Sequence, residues 1–379
     1  MNGDGGERVD GAADERVDAP RTTTYRIAVI PGDGVGAEVI PPVLRTLQVL
    51  AERGGFALRF DHFDWSCRRY LETGAMMPAD GLDRIAGHDA ILLGAVGWPG
   101  VPDHVSLWGL LIPIRRRFRQ YVNLRPIRVL PGLPGPLRDS AGVDLVVVRE
   151  NVEGEYSEIG GRLNRGFADE FAVQEAVFTR AGVSRVVDYA FGLAATRRRH
   201  VTSATKSNGI VHTMPFWDEI VEERAARHPA VGWRREHIDA LAAKLVLRPA
   251  SFDVIVASNL FGDILSDLAA AIAGSIGIAP AGNINPERDF PSMFEPVHGS
   301  APDIAGKGIA NPLGALWSAS LMLGHLGRPE SAAALVDAIE TVLAEGAVRT
   351  PDLGGTATTD ELGDAVLNAL TATGRRADR

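Results

Sequence analysis

Asn259-Leu260-Phe261-Gly262-Asp263-Ile264-Leu265-Ser266-Asp267 follows an apolar strand candidate, Asp253–Ala257. Asp263 and Asp267 are four apart, so on a helix they share one face. Carboxylates stacked this way repel by roughly 0.2–0.5 kcal/mol. A bound divalent cation would remove that cost, and hard oxygen donors suit Mg²⁺ or Mn²⁺. The plainer explanation is a pair of acids favoured at a helix N-terminus. It accounts for Asp263 better than for Asp267, and on this segment alone both explanations stay open.

Anion chemistry is suggested upstream. The stretch Arg115–Arg125 is dense in arginine and continues to Arg128, while Arg149 closes the apolar run Asp144–Val148. Consecutive arginines cannot all face one way on a helix, so most of 115–119 read as surface residues. Arg149 is different, because it ends a strand where α/β proteins place ligands. A planar guanidinium is the usual clamp for a carboxylate. Tyr156 lies seven residues further on, and Lys206 follows the strand candidate Val201–Ala204. A tyrosine beside a lysine makes an acid–base couple, the ammonium lowering the phenol pKa. Only Lys206, Lys244 and Lys307 are lysines among 39 basic residues, which draws attention to each.

Two glycine-containing loops complete the set. Gly32-Asp33-Gly34-Val35-Gly36 lies between a strand and a helix and first suggests a Rossmann phosphate turn, with Asp61 as the ribose acid. Its spacing is G-x-G-x-G rather than G-x-G-x-x-G, and a tight turn needing glycine explains it as well. Glu295 opens a long loop of small residues running to Pro312, a candidate nucleotide site or a packed turn.

The elements that must hold these groups alternate. Strand candidates are Tyr25–Pro31, Leu58–Phe63, Ala90–Gly94, Asp144–Val148, Ala172–Phe178, Val201–Ala204 and Asp253–Ala257. Helical periodicity covers Ala37–Arg53, Ala181–Arg197, Met214–Arg227, Asp239–Leu247, Asp263–Ala273, Pro312–Leu326, Ser331–Glu345 and Thr359–Thr371. This is an α/β pattern with a largely parallel sheet. Met1–Thr24 reads as a disordered polar tail. At 379 residues the chain suits two domains or three. Its net charge of −9 argues against a nucleic-acid or membrane-surface binder. The single Cys67 excludes an internal disulfide and any multi-cysteine metal site. The longest uncharged run, Leu268–Pro286, is broken by glycines, an asparagine pair and Pro280, so it does not read as a membrane span. With no signal-like segment, the expected compartment is the cytoplasm.

Together NLFGDILSD and FEPVHGSAPDIAGKGIANP resemble the β-decarboxylating dehydrogenases of R-hydroxy acids, the isocitrate/isopropylmalate dehydrogenase family. The resemblance runs from about Tyr25 to Leu370. Asp103-His104-Val105-Ser106-Leu107-Trp108-Gly109, GEYSEIGGR, SATKSNG and MPFWDE point to the branch that acts on tartrate and D-malate. The resemblance implies an isopropylmalate dehydrogenase-like α/β fold, not a Rossmann fold. Its two domains, 25–121 with 275–379 and 122–274, share a long mixed sheet. Arg115, Arg125 and Arg149 would hold substrate carboxylates, and Tyr156 and Lys206 would be the acid–base pair. Asp239, Asp263 and Asp267 would bind Mn²⁺ or Mg²⁺. His298, Gly299, Ser300, Ala301, Asp303, Ile304 and Asn311 would hold NAD, Asp303 on the ribose. Lys206 and Asp239 would reach a neighbouring subunit's site, making a homodimer the active unit.

The implied activity is metal-dependent oxidation of a small hydroxy diacid by NAD, with loss of carbon dioxide. D-malate or tartrate is expected because Trp108, one turn before Ile112, could fill the space a larger substituent needs. Leu111 and Ile112 leave an apolar wall, so 3-isopropylmalate is the alternative substrate. A silent subunit on the same fold and an arginine-rich nucleic-acid binder are the alternatives of other classes. The full Arg/Tyr/Lys/Asp set disfavours the first and the charge disfavours the second. Two residues depart from the family pattern. Val152 replaces the threonine of N-T-E-G-x-Y, and Pro113 lies in the helix leading to Arg115.

Overall fold

The computed structural model describes residues 22–133, 135–137 and 142–377. The strands are β1 (Thr24–Gly32), β2 (Ala57–His62), β3 (Ala90–Ala95), β4 (Val122–Arg128), β5 (Asp144–Glu150), β6 (Gly160–Leu163), β7 (Phe171–Gln174), β8 (His200–Thr205), β9 (Gly232–His237), β10 (Val254–Ala257), β11 (Pro280–Ile284) and β12 (Ser292–Pro296). Ten of them form one sheet in the order β2-β1-β3-β12-β11-β4-β5-β10-β8-β9. The four at one end are parallel to one another, as are the four at the other. Between them the pairs β12–β11, β11–β4 and β4–β5 are antiparallel, so the two parallel halves run in opposite directions.

Strands β3, β5, β10 and β11 are buried on both faces, their side chains alternating between two covered sides. Ile27 and Val29 of β1 join Ala90 and Leu92 of β3 in one core. Ala28 and Ile30 join Ile91 and Leu93 in a second core on the opposite face. Helices Gly36–Arg53 and Leu313–His325 cover the first face, and both supply residues to its core.

Most expected elements are present with shifted ends. The tail expected over Met1–Thr24 lies outside the described residues as far as position 21, and Thr24 already belongs to β1. The strand expected at Ala172–Phe178 is instead β7, which pairs with β6 in a separate two-stranded ribbon. The middle strands β4, β11 and β12 were not among the expected strands.

The glycine turn is not a Rossmann phosphate loop. Gly34 has φ +54°, and a Cβ there would lie 2.1 Å from the Ser300 carbonyl oxygen. That carbonyl accepts the Val35 N–H at 2.9 Å. Asp33 accepts the Cys67 N–H at 2.9 Å and the Gly97 N–H at 3.0 Å, tying three loops together. Asp61, proposed as a ribose ligand in that reading, is held by Arg26 at 2.7 Å and His88 at 3.0 Å.

Pro113 has a local solution. Asp103–Ser106 is α-helical, Leu107–Leu111 widens into a π turn, and Ile112–Arg117 resumes the α-helix. Proline offers no N–H to the carbonyl four residues back and its ring crowds that group. A wider turn ahead of it relieves both problems and lets the helix continue to Arg115.

Asp33→Ala should leave two N–H groups without acceptors, the buried one of Cys67 and the half-buried one of Gly97. We expect a loss of about 2–4 kcal/mol in unfolding free energy by denaturant titration. A change under about 0.5 kcal/mol would show that the three loops hold without it.

Candidate active site

Arg149 is the penultimate residue of β5, beside Ala257 of β10, and the helix Asn259–Ile272 starts immediately after β10. Ser258 caps that helix with its side chain. The guanidinium is buried, and its Nε and an Nη donate to Asn259 Oδ1 at 3.0 and 2.7 Å. Its other Nη donates to Asp263. Close approach is possible because residue 262 is glycine: a Cβ there would lie 2.6 Å from the Arg149 Cβ.

Arg125, on β4, donates to Asn123 at 2.7 Å, to Ser266 at 2.6 Å and to Asp267 at 3.2 Å, and its second Nη stands 3.3 Å from Asp263. Arg115 donates to Glu295 at 2.9 Å. Tyr156 Oη donates to Asp263 Oδ2 at 3.0 Å. Arg115, Arg125, Arg149, Tyr156 and Asp263 line one cavity of about 170 Å³, walled by Leu107, Ile112 and Val152. Trp108, expected to fill space there, instead lies 4.9 Å from the Arg116 guanidinium and is not part of the wall.

Electrostatics set the protonation states. Burial, then the charge of Arg125, lowers the Arg149 pKa to about 10 despite Asp263. Burial pushes the Asp263 carboxyl upward, but Arg149 and Arg125 outweigh it and hold it below its ordinary value. Asp267 is pushed up by burial and by Asp263, against the opposing pull of Arg125. Burial and the neighbouring Asp263 raise the Tyr156 phenol. Within the single chain Lys206 does not stand beside that phenol. Lys206 Nζ instead donates to Asp239 at 2.8 Å, and Lys206 lowers the Asp239 pKa.

Thus the chain brings together Arg115, Arg125, Arg149, Tyr156, Asp263 and Asp267. Among the described residues Lys206 and Asp239 pair with each other and with none of these, at the adjacent ends of β8 and β9. Among the described residues no three His, Cys, Asp or Glu side chains come together to hold a metal. Asp263 and Asp267 still fit a hard cation as two oxygen donors on one helix face. Lys244, unassigned by the sequence reading, pairs with Glu236 at 2.6 Å.

The long loop after β12 is anchored at both ends. Ser300 is bound to the Gly34 turn as described, and Asn311 donates to Asp352 at 2.9 Å. His298 Nδ1 lies 2.9 Å from the Gly299 carbonyl, while its Nε2 is buried without a partner. Nothing stands within 4 Å of a Cβ at Gly299, Gly306 or Gly308, and Asp303 is exposed. An unpaired ring nitrogen and open glycines suit a loop that meets a polar ligand. Ala301 and Ile304 pack against the core from the same loop.

The residues missed from sequence are amides: Asn123, Asn151, Asn259 and Asn283. Their signal is an asparagine next to or within an apolar run; the sequence reading takes the pair Asn283 and Asn285 only as an interruption of such a run.

This sheet and this site belong to a known class. The chain belongs to the isocitrate/isopropylmalate dehydrogenase family, whose model matches residues 26–366. These β-decarboxylating dehydrogenases oxidise a CH–OH group with a nicotinamide dinucleotide and a divalent metal. It is 55% identical to the D-malate dehydrogenase (decarboxylating) of Escherichia coli strain K12, over 92% of this chain and 99% of that one. It is 54% identical to the tartrate dehydrogenase/decarboxylase of Pseudomonas putida, over 92% and 98%. Among solved structures, isocitrate dehydrogenase from Methylococcus capsulatus has a TM-score of 0.82 at 33% identity, over 91% and 99%. A β-decarboxylating dehydrogenase from Thermococcus kodakarensis has 0.75 at 37%, over 92% and 96%.

Beside the cavity, Glu150 is fully buried, and burial raises its carboxyl to about 7 against the N–H groups of Glu153 and Val152. A raised folded-state pKa gives stability that is full below the unfolded value near 4.5 and is lost as pH rises through about 7. Unfolding free energy should therefore fall across that window, and Glu150→Gln should flatten the fall. An identical pH profile in the variant would exclude Glu150 as its source.

Proposed function

We propose that the protein oxidises D-malate or tartrate with NAD and Mn²⁺ or Mg²⁺, releasing carbon dioxide. The observation that carries this reading is the small cavity in which three arginines face Tyr156 and Asp263. Two carboxylates of a four-carbon acid match the guanidinium groups, and about 170 Å³ leaves little room for a branched alkyl group. The names of the relatives support the same substrates.

Arg115, Arg125 and Arg149 bind and orient the two carboxylates. NAD would accept the hydride and the cation would act as a Lewis acid toward the substrate oxygens. His298–Asn311 would hold the dinucleotide, and Asp263 and Asp267 the cation together with Asp239 of a partner subunit. Lys206 Nζ of the partner takes the hydroxyl proton. Tyr156 Oη, kept protonated by its surroundings, returns a proton to the carbon that loses carbon dioxide. Asp303 would accept from the ribose 2′-hydroxyl and repel a 2′-phosphate, which favours NAD over NADP.

A homodimer is supported by two features. Lys206 and Asp239 stand apart from the other site residues. The β6–β7 ribbon is also separate from the main sheet, with Leu163, Phe167, Phe171 and Val173 exposed. A lone two-stranded ribbon is marginal in water, so a second copy is its natural cover. We place the domain boundary at 25–121 with 275–379 and 122–274, in keeping with the two parallel halves of the sheet.

NADH formation from D-malate, the tartrate stereoisomers, 3-isopropylmalate and isocitrate tests the reading. A four-carbon acid should lead in kcat/KM, with NAD at least tenfold better than NADP. A tenfold preference for 3-isopropylmalate or isocitrate would overturn the substrate. The shared site has its own test. Inactive Lys206→Ala and Tyr156→Phe chains, mixed and exchanged, should regain activity because one site then holds both intact groups. No recovery after verified exchange would place Lys206 outside the partner's site.

A further inference from the structure

The cavity has a fourth arginine in its wall, Arg116. Its neighbours on the helix side keep to their own proposed domain. Arg115 meets Glu295, Arg117 lies 3.8 Å from Asp83, and Arg119 meets Asp289 at 2.9 Å. Arg116 instead reaches across to the segment after β5. One Nη donates to the main-chain carbonyl of Tyr156 at 3.1 Å, and the other to the Glu158 carboxylate at 2.8 Å. The Trp108 ring lies 4.9 Å from the guanidinium and limits where it can turn. Eight residues separate Trp108 from Arg116. In an unbroken α-helix that is about 80° off one face, and the extra residue of the π turn reduces it to about 20°. The widened turn that accommodates Pro113 thus also aims Arg116.

Around Tyr156 three successive carbonyls are held. Those of Glu155 and Ser157 accept from Gln174 Nε2, on the β6–β7 ribbon, at 3.3 and 2.9 Å. The one between them is held by Arg116. A peptide unit is planar, so an anchored carbonyl sets the plane from which the Tyr156 side chain departs. The phenol donates to Asp263 at 3.0 Å. Asp263 would also serve the cation, so the anchors that stay with Tyr156 when the site fills are those on its main chain. The pair of Arg116 with Glu158 is a surface one and adds little to stability. We propose that Arg116 is a positioning residue for Tyr156, holding its main chain so that Oη can return a proton to the carbon that has lost carbon dioxide. The proposal rests on the reading of this site as one that oxidises and decarboxylates a small hydroxy diacid.

The test uses Arg116→Met, which keeps a stem against Trp108 and loses the donors. Steady-state kinetics are measured with whichever of D-malate and tartrate wild type oxidises faster, at fixed NAD and Mn²⁺. In the variant kcat falls by about tenfold or more, because a small misplacement of a reacting group is costly. KM for the acid stays within about twofold, since Arg115, Arg125 and Arg149 still hold its carboxylates. The solvent deuterium isotope effect on kcat rises, as proton return becomes the slow step. The effect of deuterium at the oxidised carbon does not rise. A raised KM with kcat unchanged would make Arg116 a substrate ligand, and unchanged kinetics would make it a surface residue. A lower kcat with a larger effect at the oxidised carbon would place the loss in hydride transfer. Each of these overturns the proposal. If Arg116→Met fails to fold, Arg116→Gln, whose amide is too short to reach the carbonyl, is judged by the same outcomes. Oxidation of neither acid by wild type would instead overturn the reading of the site itself.

Discussion

A guanidinium without solvent must have anions, and Arg149 is buried at the end of β5 with another arginine charge beside it. Among the described residues Asp263 and the Asn259 side-chain carbonyl accept from it, and the Tyr156 ring lies 5.6 Å from it. Removing one partner of such a buried charge costs about 3–5 kcal/mol, so the geometry around it is strongly held. Glycine at 262 lets the helix lie directly against the arginine stem, and that helix carries Asn259, Asp263, Ser266 and Asp267. The helix therefore takes its place from one strand-end cation.

The segment after Arg149 extends this control through three carboxylates. Glu150 turns back on the Val152 and Glu153 amides at 3.1 and 2.8 Å. Glu153 accepts from the Thr179 N–H at 2.9 Å and its hydroxyl at 2.8 Å, where the helix Arg180–Ala195 begins. Glu155 accepts from Ser258 at 2.7 Å and from the Leu260 N–H at 3.1 Å, at the start of the helix carrying the aspartates. Negative charge is favourable at both helix starts. Tyr156 follows immediately, so its reach to Asp263 is set by an anchor one residue away.

Groups that act through type and local spacing were legible in the sequence. Asp263 and Asp267 were readable from an i, i+4 interval, and Arg149 from its place at the end of an apolar run. The parallel strands β3, β5 and β10 were readable because they are covered on both faces and their apolar runs are continuous, whereas the edge strand β9, Gly232–His237, is half-exposed, carries Arg234, Arg235 and Glu236, and was not expected. β4, β11 and β12 were not, since each carries asparagine, arginine, glycine or proline that interrupts an apolar pattern. Those polar residues are buried only because they satisfy one another across strands distant in sequence. The separation of Lys206 from Tyr156 was equally invisible to spacing, and came only from the resemblance. The π turn before Pro113 was out of reach too, because it is a backbone response rather than a pattern.

The sheet order also governs how the chain can be assembled as it is made. Strands β5, β10, β8 and β9 come from one continuous stretch, so that half can pair its strands as soon as residue 257 is available. The other half cannot. Ala90 of β3 waits for Ser292 of β12, and the helix Gly36–Arg53 waits for the helix Thr359–Ala377, to which Arg45 is bridged through Asp360 and Asp364. Non-local pairing of this kind is slow and leaves apolar strands uncovered meanwhile. The N-terminal strands are thus the first synthesised and among the last enclosed, and during that interval they are the part of the molecule most exposed to aggregation.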